Sequence, residues 1–442
     1  MEFQVVILAG GPGSRMYPLT TEMPKPLLPI ANRPMISYQL ELLERVGFTA
    51  TIVVAQERAA SELKTFVHEI YKGKVNVDWA FLPDYMGTAE ALLLIKDKIK
   101  RDFIVLSCDT IVDHRFLLNM VDQHRTQDAI VTALIVPPKS GEEDGTAAGA
   151  PGAAGGKPVR SEYGLVDYIG LHSDGKRLLY FKAAADVENS MKIHKATLRD
   201  YPSLTVYTNL TDAHLYIFSK VVIPILEEKK DKISSIKGEL LPYLVHSQFR
   251  KDWSTAESQL QRPLNLSYQM TTTRVDLEDK VRCFAFIMER NRYCSRANTT
   301  EAYVHVNIEI ASRGACYSPA EPLVKNHFIH PAAVISAKTQ VGADCVVGQG
   351  STIGERCSIK KSVIGKHCKI GDRVKIINSV IMNHVTIAEG CVINGSVVCN
   401  NVDMGAKCSI KDSQVGASFS VPEKTEIKND ALCRENTGFL EM

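Results

Sequence analysis

From Ile335 to Val415, apolar and mostly branched residues return at a spacing that neither an α-helix nor an ordinary strand produces. Ile335, Val341, Val347, Ile353 and Ile359 stand six apart. The spacing then runs five, six, six through Ile364, Ile370, Ile376, Ile381, Ile387, Ile393, Val398, Met404, Ile410 and Val415. The unit is 17 residues, so Ile359, Ile376, Ile393 and Ile410 recur together, as do Ser362, Ser379, Ser396 and Ser413. A helix repeats near 3.6 and a strand near 2. Three short strands per coil, each sending one apolar side chain inward, give six. The pattern predicts a left-handed parallel β-helix of hexapeptide repeats over 331–420, about five coils long. An irregular β-sandwich fits it poorly. Glycines follow many inward positions (Gly342, Gly348, Gly354, Gly365, Gly371, Gly405, Gly416), where a tight corner has little room for a side chain. Cys345, Cys357, Cys368, Cys391, Cys399 and Cys408 lie within the repeat and read as small core fillers.

The first half of the chain has a different rhythm. Apolar runs at Phe3–Leu8, Thr51–Ala55, Val75–Phe81, Phe103–Ser107 and Ile130–Val136 predict buried strands. Met35–Val46, Ala59–Tyr71, Thr88–Lys100 and Arg115–Arg125 carry helical spacing between them. The alternation predicts a Rossmann-like α/β domain over 1–249 with a mostly parallel sheet covered on both faces. A Gly/Ala/Pro-rich stretch at 137–160 reads as a flexible insertion. A polar linker is expected at 250–280, a connecting segment at 281–330 and a C-terminal tail at 421–442.

Composition narrows the function. Fifty-two Lys and Arg against 50 Asp and Glu leave a net charge of +2, which argues against a nucleic-acid partner. No apolar run approaches the 18 or so residues of a membrane span. Met1-Glu2-Phe3-Gln4 opens into a strand-like run without a basic leader, so no signal peptide is expected. Eleven scattered cysteines with no C-x-x-C pair suit reduced thiols, and no metal site is expected among them.

After the first strand the chain reads Leu8-Ala-Gly-Gly-Pro-Gly-Ser-Arg15, and ten residues later Pro24-Lys25-Pro26. Gly10, Gly11 and Gly13 let backbone N–H groups approach a polyphosphate, Arg15 can fork onto its oxygens, and Lys25 adds a second cation. A Walker A loop is absent, and the dinucleotide fingerprint fails at Met16. The combination resembles the signature of the nucleotide-sugar pyrophosphorylases. Met86-Gly87-Thr88-Ala89 is similar to the element of that family that contacts base and ribose. Ser107-Cys108-Asp109 is similar to its metal-holding Gly-Asp, and Ser235-Ile-Lys-Gly-Glu239 to its late Ser-Ile-x-x-Glu element. The resemblance implies a nucleotidyltransferase-like fold over most of 1–245, with Gly10, Gly11, Gly13, Arg15, Lys25, Gly87, Thr88 and Asp109 as the vestige of a nucleotide site.

It also implies lost chemistry. Where that family has Glu-Lys-Pro on the sugar, this chain reads Phe181-Lys-Ala-Ala-Ala-Asp186. Its Asn-Ala-Gly is replaced by Asp212-Ala213-His214, and its second metal carboxylate has no counterpart before the polar stretch Lys251-Asp252-Trp253-Ser254. No catalytic residue and no cofactor are therefore expected. The competing reading is a working enzyme of the mannose-1-phosphate guanylyltransferase type. A hexapeptide acyltransferase, with His367 or His384 as base, is a weaker one.

Val281-Arg-Cys-Phe-Ala-Phe-Ile-Met288, Tyr293-Cys-Ser-Arg296, Tyr303 and Lys360-Lys-Ser-Val-Ile-Gly365 resemble the gamma subunits of eukaryotic translation initiation factor 2B, over nearly the whole chain. That resemblance implies a cytosolic accessory subunit of the exchange factor acting on initiation factor 2. Its partners would be an epsilon subunit, paired through both domains, and alpha, beta and delta subunits, with no nucleic acid and no membrane. Exchange catalysis in that family lies in a helical repeat domain of epsilon. The chain ending at Met442, some 20 residues past the repeat, leaves an accessory role as the expectation.

Overall fold

The buried apolar runs of the first half pair into one seven-stranded sheet. Its strands are β1 (Gln4–Ala9), β2 (Ala50–Gln56), β3 (Asn76–Leu82), β4 (Phe103–Ser107), β5 (Val131–Val136), β6 (Thr211–Phe218) and β7 (Cys283–Ile287), in the order β7-β5-β6-β4-β1-β2-β3. All neighbours are parallel except β6, which runs antiparallel to β4 and β5. A computed structural model describes residues 2–83, 86–138, 167–187, 191–249, 281–313, 328–342 and 344–433. The expected insertion from 139 onward, the whole linker 250–280 and residues 434–442 of the expected tail lie outside the described residues.

The described chain packs as two compact units that do not follow sequence order. The first comprises Met1–Gly11 and Gln39–Ser295, the second Pro12–Tyr38 and Arg296–Met442. In the first, Val6, Val54, Phe103, Val105, Ala133 and Phe218 form a core with residues of the helices Thr88–Leu94, Val222–Glu228 and Leu241–Ser247. A three-stranded antiparallel sheet (Leu178–Ala183, Asp167–His172, Leu204–Tyr207) adds Ile169, Leu171 and Phe181 to that core. Part of the segment read as a connector is thus sheet: β7 pairs along β5 from Cys283↔Val131 to Ile287↔Ile135.

In the second unit three parallel ladders of seven, six and six strands build the β-helix. It has six coils and one further strand, because Val421, Ile427 and Leu432 carry the ladders on from Met404, Ile410 and Val415. That last coil is harder to see in sequence, since Glu423, Lys424, Glu426 and Lys428 surround its inward positions. Ile353, Ile370, Ile387 and Met404 stack in one column, each at most 4% exposed. The five-residue step has a local cause. Lys361, Asn378, Gly395 and Asp412 adopt left-handed φ of 47–62°. The serine after each is buried, donates to the carbonyl two residues back, and accepts from the amide one coil on. The six repeat cysteines are buried, and Sγ of Cys368 donates to the Met382 carbonyl at 3.0 Å. Burial pushes the Cys399 thiol up to about 12.

Pro12–Tyr38 is fastened inside this second unit. Asn307, on the helix Thr300–Arg313, is fully buried and accepts from the Ala31 amide at 2.8 Å. The Tyr303 hydroxyl donates to the Pro29 carbonyl, and Asn32 Nδ2 to the Ile364 carbonyl at 2.7 Å.

Candidate nucleotide-binding site

The parallel strands of the first unit all end on one edge of the sheet, where open α/β folds bind ligands. Gly10 and Gly11 follow β1, and Asp109 follows β4, its neighbour. The Cys108 amide extends that pairing by donating to the Leu8 carbonyl at 3.0 Å. Gly10 comes within reach of the end of β3, since a Cβ on it would stand 2.9 Å from Leu82 Cδ1. Gly87 and Thr88 open the next helix. The structure therefore brings Gly10, Gly11 and Asp109 to one edge. Gly13, Arg15 and Lys25 belong to the second unit.

The glycines separate by what requires them. Gly13 has φ +72°, and a Cβ would sit 2.7 Å from Thr20 Cγ2; the Thr20 hydroxyl donates to its carbonyl at 3.0 Å. Gly11 is exposed, and a Cβ there would meet nothing within 4 Å. Packing makes no demand on it, so its bareness is open to a ligand. Arg15, in the turn Ser14–Met16, is exposed and in no ion pair among the described residues. Lys25 begins the turn Lys25–Leu27 and is half-buried.

At Gly87 the hydrogen-bonding groups are engaged internally. The Gly87 amide donates to Glu90 Oε2 at 2.8 Å, and the Ala89 amide to the Ser234 carbonyl at 2.8 Å. Thr88 Oγ1 accepts from the Ile236 amide at 2.9 Å. Glu239 closes the far side of this join by accepting from the Ser234 and Ser235 amides. Those N–H groups hold its carboxyl below the usual range against a smaller effect of burial.

Asp109 is 1% exposed, and its Oδ1 accepts from the Ser107 hydroxyl at 2.6 Å. Among the described residues no group of three or more His, Cys, Asp or Glu could hold a metal ion. Asp109 is buried with Oδ1 engaged by the Ser107 hydroxyl, which does not suit an open site for the metal that the nucleotidyltransferase resemblance implies.

Sequence reasoning missed the most buried polar cluster of this edge. A bulge in β6 between Asp212 and Tyr216, with His214 at φ 54°, turns Asp212 inward. Its carboxylate accepts from the Tyr216 hydroxyl and from the His214 amide at 3.1 Å. Its amide donates to Asp167 Oδ2 at 3.3 Å, and Lys237 Nζ bonds the same oxygen at 2.8 Å. Both carboxylate side chains are fully buried. Burial raises the Asp212 carboxyl above its ordinary value, and Lys237 opposes that rise. The signal in sequence was faint: Asp212 stood out only as a replacement for asparagine. On the β-helix, His367 and His384 stack ring on ring at 5.2 Å, one coil apart at left-handed corners.

The nucleotidyl transferase family matches residues 4–147, and the family of left-handed β-helix domains of eIF2B epsilon subunits matches residues 324–435. The eIF2B gamma subunit of Dictyostelium discoideum is 38% identical over 388 residues, spanning 82% of this chain and 87% of the relative. The chain belongs to the eIF2B gamma subunit family. The gamma subunit of Schizosaccharomyces pombe is 33% identical, across 81% of this chain and 74% of its own. Mannose-1-phosphate guanyltransferase of Saccharomyces cerevisiae is 35% identical, but over 123 residues, 27% of this chain. The gamma-subunit family thus accounts for both units, with a nucleotidyltransferase-like domain and a left-handed β-helix. The guanyltransferase likeness covers only a fraction of the chain. Among the described residues no helix is long and apolar enough to cross a membrane.

Proposed function

We propose that the chain is a non-catalytic accessory subunit of the cytosolic factor that exchanges GDP for GTP on translation initiation factor 2. It acts beside an epsilon subunit, within an assembly that also holds alpha, beta and delta subunits. The observation that carries this reading is likeness to gamma subunits over more than four-fifths of the chain. The geometry at Gly87 supports the non-catalytic part, because groups that would meet a base and ribose are engaged by Glu90, Ser234 and Ile236. Gly10, Gly11, Gly87, Thr88 and Asp109, all in the first unit, are the remnant of a nucleotide site. The β-helix, whose ladders run from Phe328 to Leu432, serves as a docking surface, as stacked coils commonly do.

The test uses the full chain. It is expected to capture an epsilon-type subunit and to release no pyrophosphate from GTP, Mg²⁺ and mannose 1-phosphate. Turnover near 1 s⁻¹, the low end for ordinary enzymes, or failure to capture the partner, overturns the reading.

A further inference from the structure

The first unit holds a second concavity, lined by none of Gly10, Gly11, Gly87, Thr88 or Asp109. It encloses about 620 Å³ between the strand Leu178–Ala183, the helix Leu241–Ser247, and the helix Lys195–Asp200 with its lead-in residues. We propose that it binds a small phosphate-bearing molecule, with the phosphate on Lys182, Lys192 and the His194–His246 pair and the body against Tyr180 and Phe249.

Three observations carry this. The first is size: the volume lies within the range of about 300–1,000 Å³ typical of small-molecule sites. The second is charge. Lys182 and Lys192 line the cavity against Asp186, and neither lysine makes an ion pair among the described residues. The third is the histidine pair. His194 Nε2 and His246 Nε2 approach to 2.5 Å, ring centroids 4.1 Å apart and nearly perpendicular. Only one proton fits between two such nitrogens, so one imidazole donates and the other accepts. Two lysines and two imidazoles drawn from three segments of the chain suit the several acceptor oxygens of a phosphate better than the two of a carboxylate. Tyr180 and Phe249 supply ring surface for an organic body.

The experiment follows the histidine ring signals by NMR in the full chain during titration with phenyl phosphate, inorganic phosphate or benzoate. Phenyl phosphate is expected to shift His194 and His246 saturably, with a Kd at or below about 1 mM. Inorganic phosphate shifts the same signals more weakly, and benzoate does not. Lys182→Gln and Lys192→Gln should each weaken phenyl phosphate about five-fold or more, as expected for losing a charged hydrogen bond, while Arg15→Ala leaves it unchanged. The proposal is overturned by any of three results: no saturable shift up to about 10 mM, equal binding of benzoate, or shifts that follow Arg15→Ala and ignore both lysine variants.

Discussion

The Ser234 carbonyl oxygen lies 2.2 Å from where a Cβ on Gly87 would stand. The obstacle is backbone, held by the Ala89 amide, and cannot swing aside as a side chain could. Gly87→Ala should therefore destabilise the first unit by about 1–3 kcal/mol, the usual cost of overpacking. Gly11→Ala should leave stability within about 0.5 kcal/mol, because nothing borders that site. Urea unfolding midpoints check both. In calorimetry with GTP, wild type is expected to bind no tighter than about 1 μM, and Gly11→Ala more weakly still.

Lys237 stands between two buried carboxylates. Lys237→Met leaves Asp167 and Asp212 without that cation and should cost about 3–5 kcal/mol at pH 7. The pH dependence has a definite sign. A carboxyl whose folded pKa is raised binds a proton more readily when folded. Its favourable contribution is therefore full below the ordinary carboxylate range and lost as pH rises through the folded value. Removing Lys237 raises the Asp212 carboxyl further. The stability gap between wild type and Lys237→Met should narrow on acidification from pH 7 toward 5. A constant gap across that range would show that the lysine acts by packing alone.

Ile387 is 1% exposed, with Ile370 below it and Met404 above. Ile387→Asp places an unpaired carboxylate in that column, costing roughly 4 kcal/mol or more. Hydrogen exchange should show the amides of Val380–Ile410 losing protection, while those of Gln4–Ala9 and Phe103–Ser107 keep theirs. Capture of the epsilon-type partner should fall with it. Full capture by a protein so altered would move the docking surface elsewhere.

Where packing follows local rhythm, the sequence was readable. Phe103–Ser107 and Met35–Val46 have the bounds their spacing predicted, and the β-helix columns fall on the inward positions. Helical spacing over Ala59–Tyr71 did not reveal its hydrogen bonding. That stretch is a 3-10 turn, an α-helical turn and a π-helical turn in succession, which share nearly the same apolar stripe. The place of Cys283–Ile287 beside Val131–Val136 depends on a pairing across some 150 residues, which no local period encodes. The same holds for the site. Gly10, Gly11 and Asp109 were legible because strand ends gather them, whereas Asp167, Asp212 and Lys237 meet through a bulge and a turn.

The membership of Pro12–Tyr38 in the second unit bears on the order in which the protein can acquire its structure. The segment is synthesised well ahead of Tyr303, Asn307 and Ile364, which hold it and follow roughly 270 residues or more later. Until then its Pro29 and Ala31 backbone groups must be satisfied by water or by transient neighbours. Contacts of such sequence separation slow folding, because a long loop must close before they form. Maturation of Pro12–Tyr38 is thereby deferred until Thr300–Arg313 and Ile364 have been made, and a nascent chain stalled before Thr300 would carry the segment without the helix that holds it.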